Sequence, residues 1–377
     1  MTEQEALFFL AQAGLLSAQK FKLLLNGAVS FERLLVDPQS YRSAFPDLMT
    51  EEWLERLKTA RAATTVEQLQ QKCALQSITI LTILDADYPS ALKEIHDPPP
   101  VLYIKGKFLE ADQAAIAVVG ARAASSYGLK TAHQFASKLA EAGITVVSGM
   151  ARGIDTEAHH GALNVRGRTI AVLGSGLDVI YPRENKKLFA KIAASGVVVS
   201  EFPLGTPPLA FHFPVRNRLI AGLSMGVLVV EAHQRSGSLI TASCAIDEGR
   251  EVYAVPGRID SFGSQGTHEL IRQGARLVVS PEDLLSDLRS ILREQLRTWT
   301  VREDKPVIQI QHTAHLSESE KEIIQLLEAN PSTAHEIEEK LAPGSLRMIT
   351  EMELKGLIHR RSDGRYERAS RFVDVES

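Results

Sequence analysis

Apolar positions in the first 75 residues fall at helical spacing in short runs, Ala6-Leu-Phe-Phe-Leu10, Ala18 to Leu25, Ser30 to Leu35 and Glu51 to Ala63, broken at Asn26-Gly27 and Asp37-Pro38. The spacing predicts a small helical bundle over 1–75. The pattern then changes. Ile78-Thr-Ile-Leu-Thr-Ile-Leu84 has strand composition, and Asp97-Pro-Pro-Pro100 forces an extended connector before Val101-Leu-Tyr-Ile104. From Ala114 onward one unit recurs, in which a helix-patterned segment ends at a glycine and a β-branched run starts within a residue or two. It occurs at Gly143 before Ile144-Thr-Val-Val147, Gly167 before Thr169-Ile-Ala-Val-Leu173 and Gly196 before Val197-Val-Val-Ser200. Gly249 before Glu251-Val-Tyr-Ala-Val255 and Gly274 before Arg276-Leu-Val-Val279 complete the series. Glycine ends helices because it reaches the left-handed region without a side-chain clash, and near-continuous apolar strands are buried on both faces. Such alternation predicts an α/β domain over 76–290, a parallel sheet with helices on each side.

Residues 291–315 are polar and include Arg302-Glu-Asp-Lys-Pro306, the composition of a linker. Ser317 then opens a helix, Ser317-Glu-Ser-Glu-Lys-Glu-Ile-Ile-Gln-Leu-Leu327, with Glu320 placed for a capping box. Two shorter helical patterns, 333–341 and 345–356, precede Gly356-Leu-Ile-His-Arg-Arg-Ser-Asp-Gly-Arg-Tyr366, a strand-turn-strand pattern around Asp363-Gly364. Three helices and a hairpin predict a winged-helix domain over 316–370.

Composition narrows the class without changing the layout. The 377 residues are 44% hydrophobic and 23% charged, as in ordinary globular proteins. No apolar run approaches the roughly 20 residues a membrane span needs, and Met1-Thr-Glu-Gln-Glu5 is acidic where a signal peptide is basic, so a cytoplasmic protein is expected. Cys73 and Cys244 lie far apart with no C-x-x-C partner, which argues against a disulfide framework or a zinc site. A net charge of −4 argues against global attraction to DNA, but the charge is uneven. Residues 114–290 hold 18 Lys/Arg against 15 Asp/Glu, whereas 316–370 hold 8 against 11. A phosphate-binding surface is therefore expected to be local and central. Glu336, Glu338, Glu339, Glu351 and Glu353 crowd the region where a DNA-reading winged helix needs lysines.

In an open parallel sheet ligands bind beyond the carboxyl ends of the strands, so the residues just after each strand are the informative ones. After Val119 comes Gly120-Ala-Arg-Ala-Ala-Ser-Ser-Tyr-Gly128, with Arg122 at the mouth of the sheet. After Val147 comes Ser148-Gly-Met-Ala-Arg-Gly-Ile-Asp155, carrying Gly149 and Arg152. Leu173 leads into Gly174-Ser-Gly176, Ser200 into Glu201-Phe-Pro203, and Val230 into Glu231 and Arg235-Ser236-Gly237-Ser238. Gly/Ser turns facing helix N-termini make anion nests. The stretch Phe211-His212-Phe213-Pro-Val-Arg216-Asn217-Arg218 adds two aromatic rings and two guanidinium groups within eight residues. Rings stack on bases and guanidinium forks grip phosphates, which is the composition of a surface for single-stranded nucleic acid. The plain alternatives are that the two phenylalanines plug a core, that Gly120 and Gly149 only allow tight strand-helix packing, that Asp155 caps a helix, and that Glu201 is a buried acid paired with an arginine.

Coenzyme binding has little support, because Gly120-Ala-Arg-Ala-Ala-Ser125 lacks the G-x-G-x-x-G spacing. No Walker A, H-E-x-x-H or Ser/His/Asp ordering stands out, and adjacent His159 and His160 point about 100° apart on a helix, which does not make a metal pair. Many anion contacts and no evident nucleophile predict a binding protein with no cofactor, no metal and no catalytic residue.

Taken together, Val118-Val-Gly-Ala-Arg122, Ser148-Gly-Met-Ala-Arg-Gly-Ile-Asp155, Thr169-Ile-Ala-Val-Leu-Gly-Ser-Gly-Leu-Asp178 with Tyr181-Pro182, Ser200-Glu-Phe-Pro203, Phe213-Pro-Val-Arg-Asn-Arg-Leu-Ile220, Ser236-Gly-Ser238 and Val255-Pro-Gly257 resemble the bacterial DNA-processing protein family, DprA or Smf. The resemblance covers about 85–280 and reaches the flanking domains. It implies an extended Rossmann-like sheet domain that dimerises, an N-terminal sterile-alpha-motif-like module and a C-terminal winged helix. It also implies a non-enzymatic role: binding single-stranded DNA, protecting incoming strands during natural transformation, and loading the recombinase RecA. Carried over, Arg122 contacts phosphate, the 209–213 loop with Phe213 contacts backbone and base, and Arg216 and Arg218 shape or line the pocket. One departure is that Leu209-Ala-Phe-His212 lacks the lysine some relatives place there, leaving Phe211 to offer a ring instead. A competing enzyme reading comes from nucleotide phosphoribohydrolases, which resemble this architecture and carry P-G-G-x-G-T-x-x-E. Here Val255-Pro-Gly257 and Gly263-Ser-Gln-Gly-Thr-His-Glu269 are split in sequence.

Overall fold

The computed structural model describes residues 1–289 and, farther along, 318–329, 332–333, 336–338, 348–349, 352, 358–360 and 365–368. The chain divides into two compact units, Met1–Trp299 and Thr300–Ser377. In the first, helices α1 (Glu3–Gln12), α2 (Ala18–Asn26), α3 (Phe31–Val36), α4 (Glu51–Ala63) and α5 (Val66–Leu75) open the chain. Thr2, Ser17, Ser30, Thr50 and Thr65 each accept a backbone N–H at the N-cap of these five helices, which is why so many short helices start cleanly.

The nine-stranded sheet runs β1-β2-β6-β5-β4-β3-β7-β8-β9. Its strands are β1 (Thr79–Thr82), β2 (Val101–Gly106), β3 (Ala115–Val119), β4 (Thr145–Ser148), β5 (Thr169–Val172), β6 (Val197–Ser200), β7 (Gly226–Val229), β8 (Glu251–Ala254) and β9 (Arg276–Leu277). Strands β3 to β9 are parallel, as the glycine-punctuated repeat predicts, whereas β1 and β2 run antiparallel, β2 against β6. The reason is local: β1 and β2 are joined by a connector whose only helix is the one-turn α6 (Ser90–Lys93), too short for a crossover over the sheet.

Helices α7 (Ser126–Glu141) and α8 (Ile154–Asn164) share a core with Ile116, Val118 and Val146 on one face. α10 (His212–Gly222) and α11 (Gly237–Asp247) pack on Ala117, Val119 and Val147 on the other. α9 (Lys186–Ser195) and α12 (Gln265–Arg272) complete the layers, and residues 281–289 are helical. The N-terminal helices do not keep a core to themselves. Leu7, Phe8, Leu10 and Trp53 belong to one buried cluster with Val101, Tyr103, Val198 and Ile192, and the Tyr103 hydroxyl donates to Gln12 Oε1 at 2.7 Å. In the second unit α13 (Glu318–Ala329) and the antiparallel pair Ile358–Arg360 and Tyr366–Arg368 enclose Ile323, Leu327, Ile349 and Ile358. The 291–315 linker and most of the winged-helix pattern lie outside the described residues. No described helix is long and apolar enough to cross a membrane.

Candidate nucleic-acid interface

The sheet presents its loops at the carboxyl rim in the order 201–211, 173–182, 149–153, 120–125, 230–236 and 255–264. A cleft of about 200 Å³ opens there, lined among others by Arg122, Gly149, Arg152, Gly174, Tyr181 and Phe213. Three strand ends and the first turn of α10 thus converge on one opening. Phe213 is its centre: the Arg122 guanidinium lies 4.9 Å from the ring centroid, that of Arg216 lies 5.9 Å away, and the Tyr181 ring sits 5.8 Å off, tilted by 43°. The ring lies against Gly174, where a Cβ would come within 2.9 Å of Phe213 Cδ1. Here glycine is required by close approach.

Arg122 is exposed and forms no salt bridge among the described residues. Its charge is therefore available to an anion while its flat face rests on Phe213. Arg152, also exposed, is shared with Glu184, whose carboxylate accepts from its Nε. That partner holds the Glu184 carboxyl below the usual range and the Arg152 guanidinium above its own.

Arg216 is buried behind Gly149 and does not itself line the cleft. Its Nη1 donates to Gly149 O at 2.8 Å and to Val172 O, and its Nε donates to Asn217 Oδ1 at 3.2 Å. A Cβ on Gly149 would stand 2.5–2.7 Å from the guanidinium atoms, so glycine at 149 makes room for the arginine. Burial pushes the Arg216 pKa down to about 10, opposed by the charge of Asp155. Burial likewise raises the Asp155 carboxyl, against the pull of Arg216 and the Ala151 N–H. Asp155 lies in the first turn of α8, but the N-cap is Gly153, at φ 75, where a Cβ would collide with Ala121 O at 2.3 Å. Asn217 Nδ2 donates to Gly237 O at 3.3 Å, tying α10 to the first residue of α11.

The remaining predicted residues fall elsewhere. Gly120 packs against Ile154 and Glu231 O, and Ser148 Oγ donates to Val118 O at 2.7 Å inside the sheet. Ser236 caps α11 through Ser238 N, and the two hydroxyls are 2.8 Å apart, so Ser236, Gly237 and Ser238 form a helix start, not an open nest. His212 is buried against Phe202 at 4.3 Å with Nδ1 on Pro207 O, while Phe211 stands outside, exposed, edge-on to His212. Arg218 does not line the cleft. It grips Glu201 with both terminal nitrogens, at 3.0 and 2.7 Å, and both side chains are largely buried. The structure thus shows Glu201 as the buried acid paired with an arginine. Tyr181 and Pro182, joined by a cis peptide bond, line the cleft and lay within a legible Tyr-Pro dipeptide after the Gly-Ser-Gly turn.

The start of α7, where a coenzyme pyrophosphate would sit in a dinucleotide fold, is filled from within. Glu231 accepts from Ser125 N at 3.0 Å and from Ser125 Oγ at 2.9 Å, and its carboxylate lies where Cβ atoms on Gly128 or Gly263 would be. The split halves of the hydrolase-like signature do meet, since Gly257 lies against Ser264 and His268. Yet Glu269 is engaged with Arg272 and Gln273 on the outside of α12. Among the described residues no group of three or more His, Cys, Asp or Glu is placed to hold a metal.

Residues 79–289 match the model of a family described as DNA recombination-mediator protein A. The chain is 52% identical over 203 residues to protein Smf of Escherichia coli, a match spanning 54% of this chain and 54% of that protein. It is 49% identical over 212 residues to the DNA processing protein DprA of Streptococcus pneumoniae, spanning 56% of this chain and 75% of that protein. Among solved structures, the X-ray structure of S. pneumoniae DprA superposes with a TM-score of 0.66 at 42% identity, covering 76% of this chain and 98% of the other. A DprA from Helicobacter pylori, described for its single-stranded DNA binding mode, superposes at 0.51 with 30% identity, covering 58% of this chain and 96% of that one.

Proposed function

Because this chain belongs to the DNA recombination-mediator protein A family, we propose that it holds single-stranded DNA in the Arg122–Phe213 cleft and acts as a recombination mediator, not as an enzyme. The observation that carries the reading is the unpaired Arg122 guanidinium lying 4.9 Å over the Phe213 ring at the mouth of the sheet. A guanidinium offers a phosphate two donors, and a ring beside it offers a base a stacking face, a pairing that is tolerant of sequence. The tilted Tyr181 ring widens that face.

The biological role proposed is the one that the family resemblance implies. The protein would shield incoming strands during natural transformation and load RecA onto them, working as a homodimer through its sheet domain. Exposed Ile246 and Leu277, on α11 and on the two-residue edge strand β9, suit self-association better than solvent. Mobility shifts with single- and double-stranded oligonucleotides of equal length test the central claim. Preferential retention of the single strand, weakening as salt rises, is the expected result. Equal retention of both, or none of either, refutes it.

A further inference from the structure

We propose that the β7–β8 end of the same rim is a second stacking station for the strand held in the cleft, built from His233, Phe262 and Arg235; the inference rests on the single-strand reading above. The loops after β7 and β8 emerge beside the loop that carries Arg122 and are locked to it and to each other. Ala121 N donates to Glu231 O at 2.7 Å, Ala232 N donates to Gly263 O at 2.8 Å, and the Tyr127 hydroxyl reaches Pro256 O at 3.5 Å. From β3 to β8 is two strand spacings, about 10 Å, a step that a few nucleotides cover.

The chemistry there repeats that of the cleft. The His233 and Phe262 rings are stacked, with centroids 5.4 Å apart and planes 16° off parallel. Phe262 is 69% exposed, a large cost for a ring that serves no partner. Arg235 is exposed and forms no salt bridge among the described residues, whereas neighbouring Arg258 is neutralised by Asp260 at 2.8 Å. His233 Nδ1 accepts the Arg235 N–H at 3.1 Å, which fixes the turn and, in the neutral ring, leaves the proton on Nε2 as a donor. A flat apolar face, a free guanidinium and an imidazole N–H are the groups that take a base and its phosphate. Continuity with the cleft favours the same strand as the occupant.

The test uses the full chain, oligothymidines of about 2 nucleotides, too short to reach from the cleft to the second station, and about 20 nucleotides, and a long oligomer carrying 5-iododeoxyuridine for photo-crosslinking. Phe262→Ala removes an exposed ring, so the core is untouched. The expected result is a loss of roughly 5- to 150-fold for the long oligomer with short-oligomer affinity unchanged, and wild-type crosslinks on the 233–262 loops. If wild type binds both oligomers but Phe262→Ala binds the long one equally well, the second station is wrong while the cleft stands. Equal weakening on both lengths, or a change in assembly state with crosslinks confined to the cleft residues, also overturns it. Failure of wild type to bind either length refutes the single-strand reading itself.

Discussion

Removing the Arg218 guanidinium strands the Glu201 carboxylate in a site that water scarcely reaches, since the two side chains are 15% and 13% exposed and joined by two hydrogen bonds. Breaking a buried pair from one side costs about 3–5 kcal/mol, because the surviving charge loses its partner and regains little water. Arg218→Ala is therefore expected to be a stability variant. For a unit of roughly 300 residues the unfolding entropy, at about 2.1 cal/mol/K per residue, makes each kcal/mol worth about 1.6 °C, so Tm falls by roughly 5–8 °C. Affinity for single strands, measured well below the new midpoint, should stay within a few-fold of wild type, because the pair lies outside the cleft. Glu201→Gln in the Arg218→Ala background should recover part of the loss, since a neutral amide tolerates the site better than an unpaired charge. Thermal melts followed by circular dichroism and filter binding across salt decide the matter. An unchanged Tm, together with a salt slope reduced by about 0.7, would mean that Arg218 touches phosphate and that the structural role assigned to it is wrong.

Other outcomes follow from the same geometry. Arg122→Ala should weaken binding and shorten the salt slope by about 0.7, whereas Phe213→Ala should cost roughly 1–3 kcal/mol of binding with the slope kept; slopes that fall together would show that the two groups do not divide phosphate from base. Gly174→Ala places a Cβ 2.9 Å from Phe213 Cδ1 and should impair binding through the displaced ring while the circular dichroism spectrum is retained. His159 is fully buried, with Nδ1 2.6 Å from Thr169 Oγ1 and Nε2 without a partner, and burial pushes its pKa down from 6.5 to about 3. The unfolded chain binds the proton first, so this stability is complete above about pH 6.5 and is lost as pH falls toward 3. By pH 5 the loss should reach about 2 kcal/mol in urea titrations, and His159→Gln should flatten that dependence; parallel curves would be evidence against a buried neutral imidazole.

How much of this was legible in the sequence depended on range. Each helix–glycine–strand unit is local, so five of the seven parallel strands could be read from glycine punctuation and β-branched runs, and of the Phe211–Arg218 stretch it is Phe213 that lines the cleft. What failed was partner choice. Arg216, Asn217 and Arg218 are consecutive on α10, and helical geometry sends their side chains about 100° apart, one under the cleft and one to Glu201. Arg218 and Glu201 are 17 positions apart and Arg216 and Gly149 are 67 apart, distances over which composition carries no pairing information. Helices α1 to α5 cover the runs with helical spacing in 1–75, but no pattern within those residues shows that Leu7 and Phe8 share a core with Tyr103 and Val198.

The position of the cleft has its own cause in the fold. Strand order reverses between β3 and β7, which is where an open α/β sheet ordinarily receives a ligand on the amides of its first helix. Glu231 occupies that place, and a carboxylate seated on Ser125 N repels any phosphate that approaches the start of α7. On the proposed single-strand reading the anion site lies one strand over, on guanidinium groups that project from the β3 and β4 loops. An amide nest would hold one phosphate in a fixed pose, whereas exposed arginines beside aromatic rings accept successive phosphates with little demand on geometry. The same internal carboxylate that disfavours a nucleotide coenzyme would, on the proposed reading, leave this rim to a flexible polyanion.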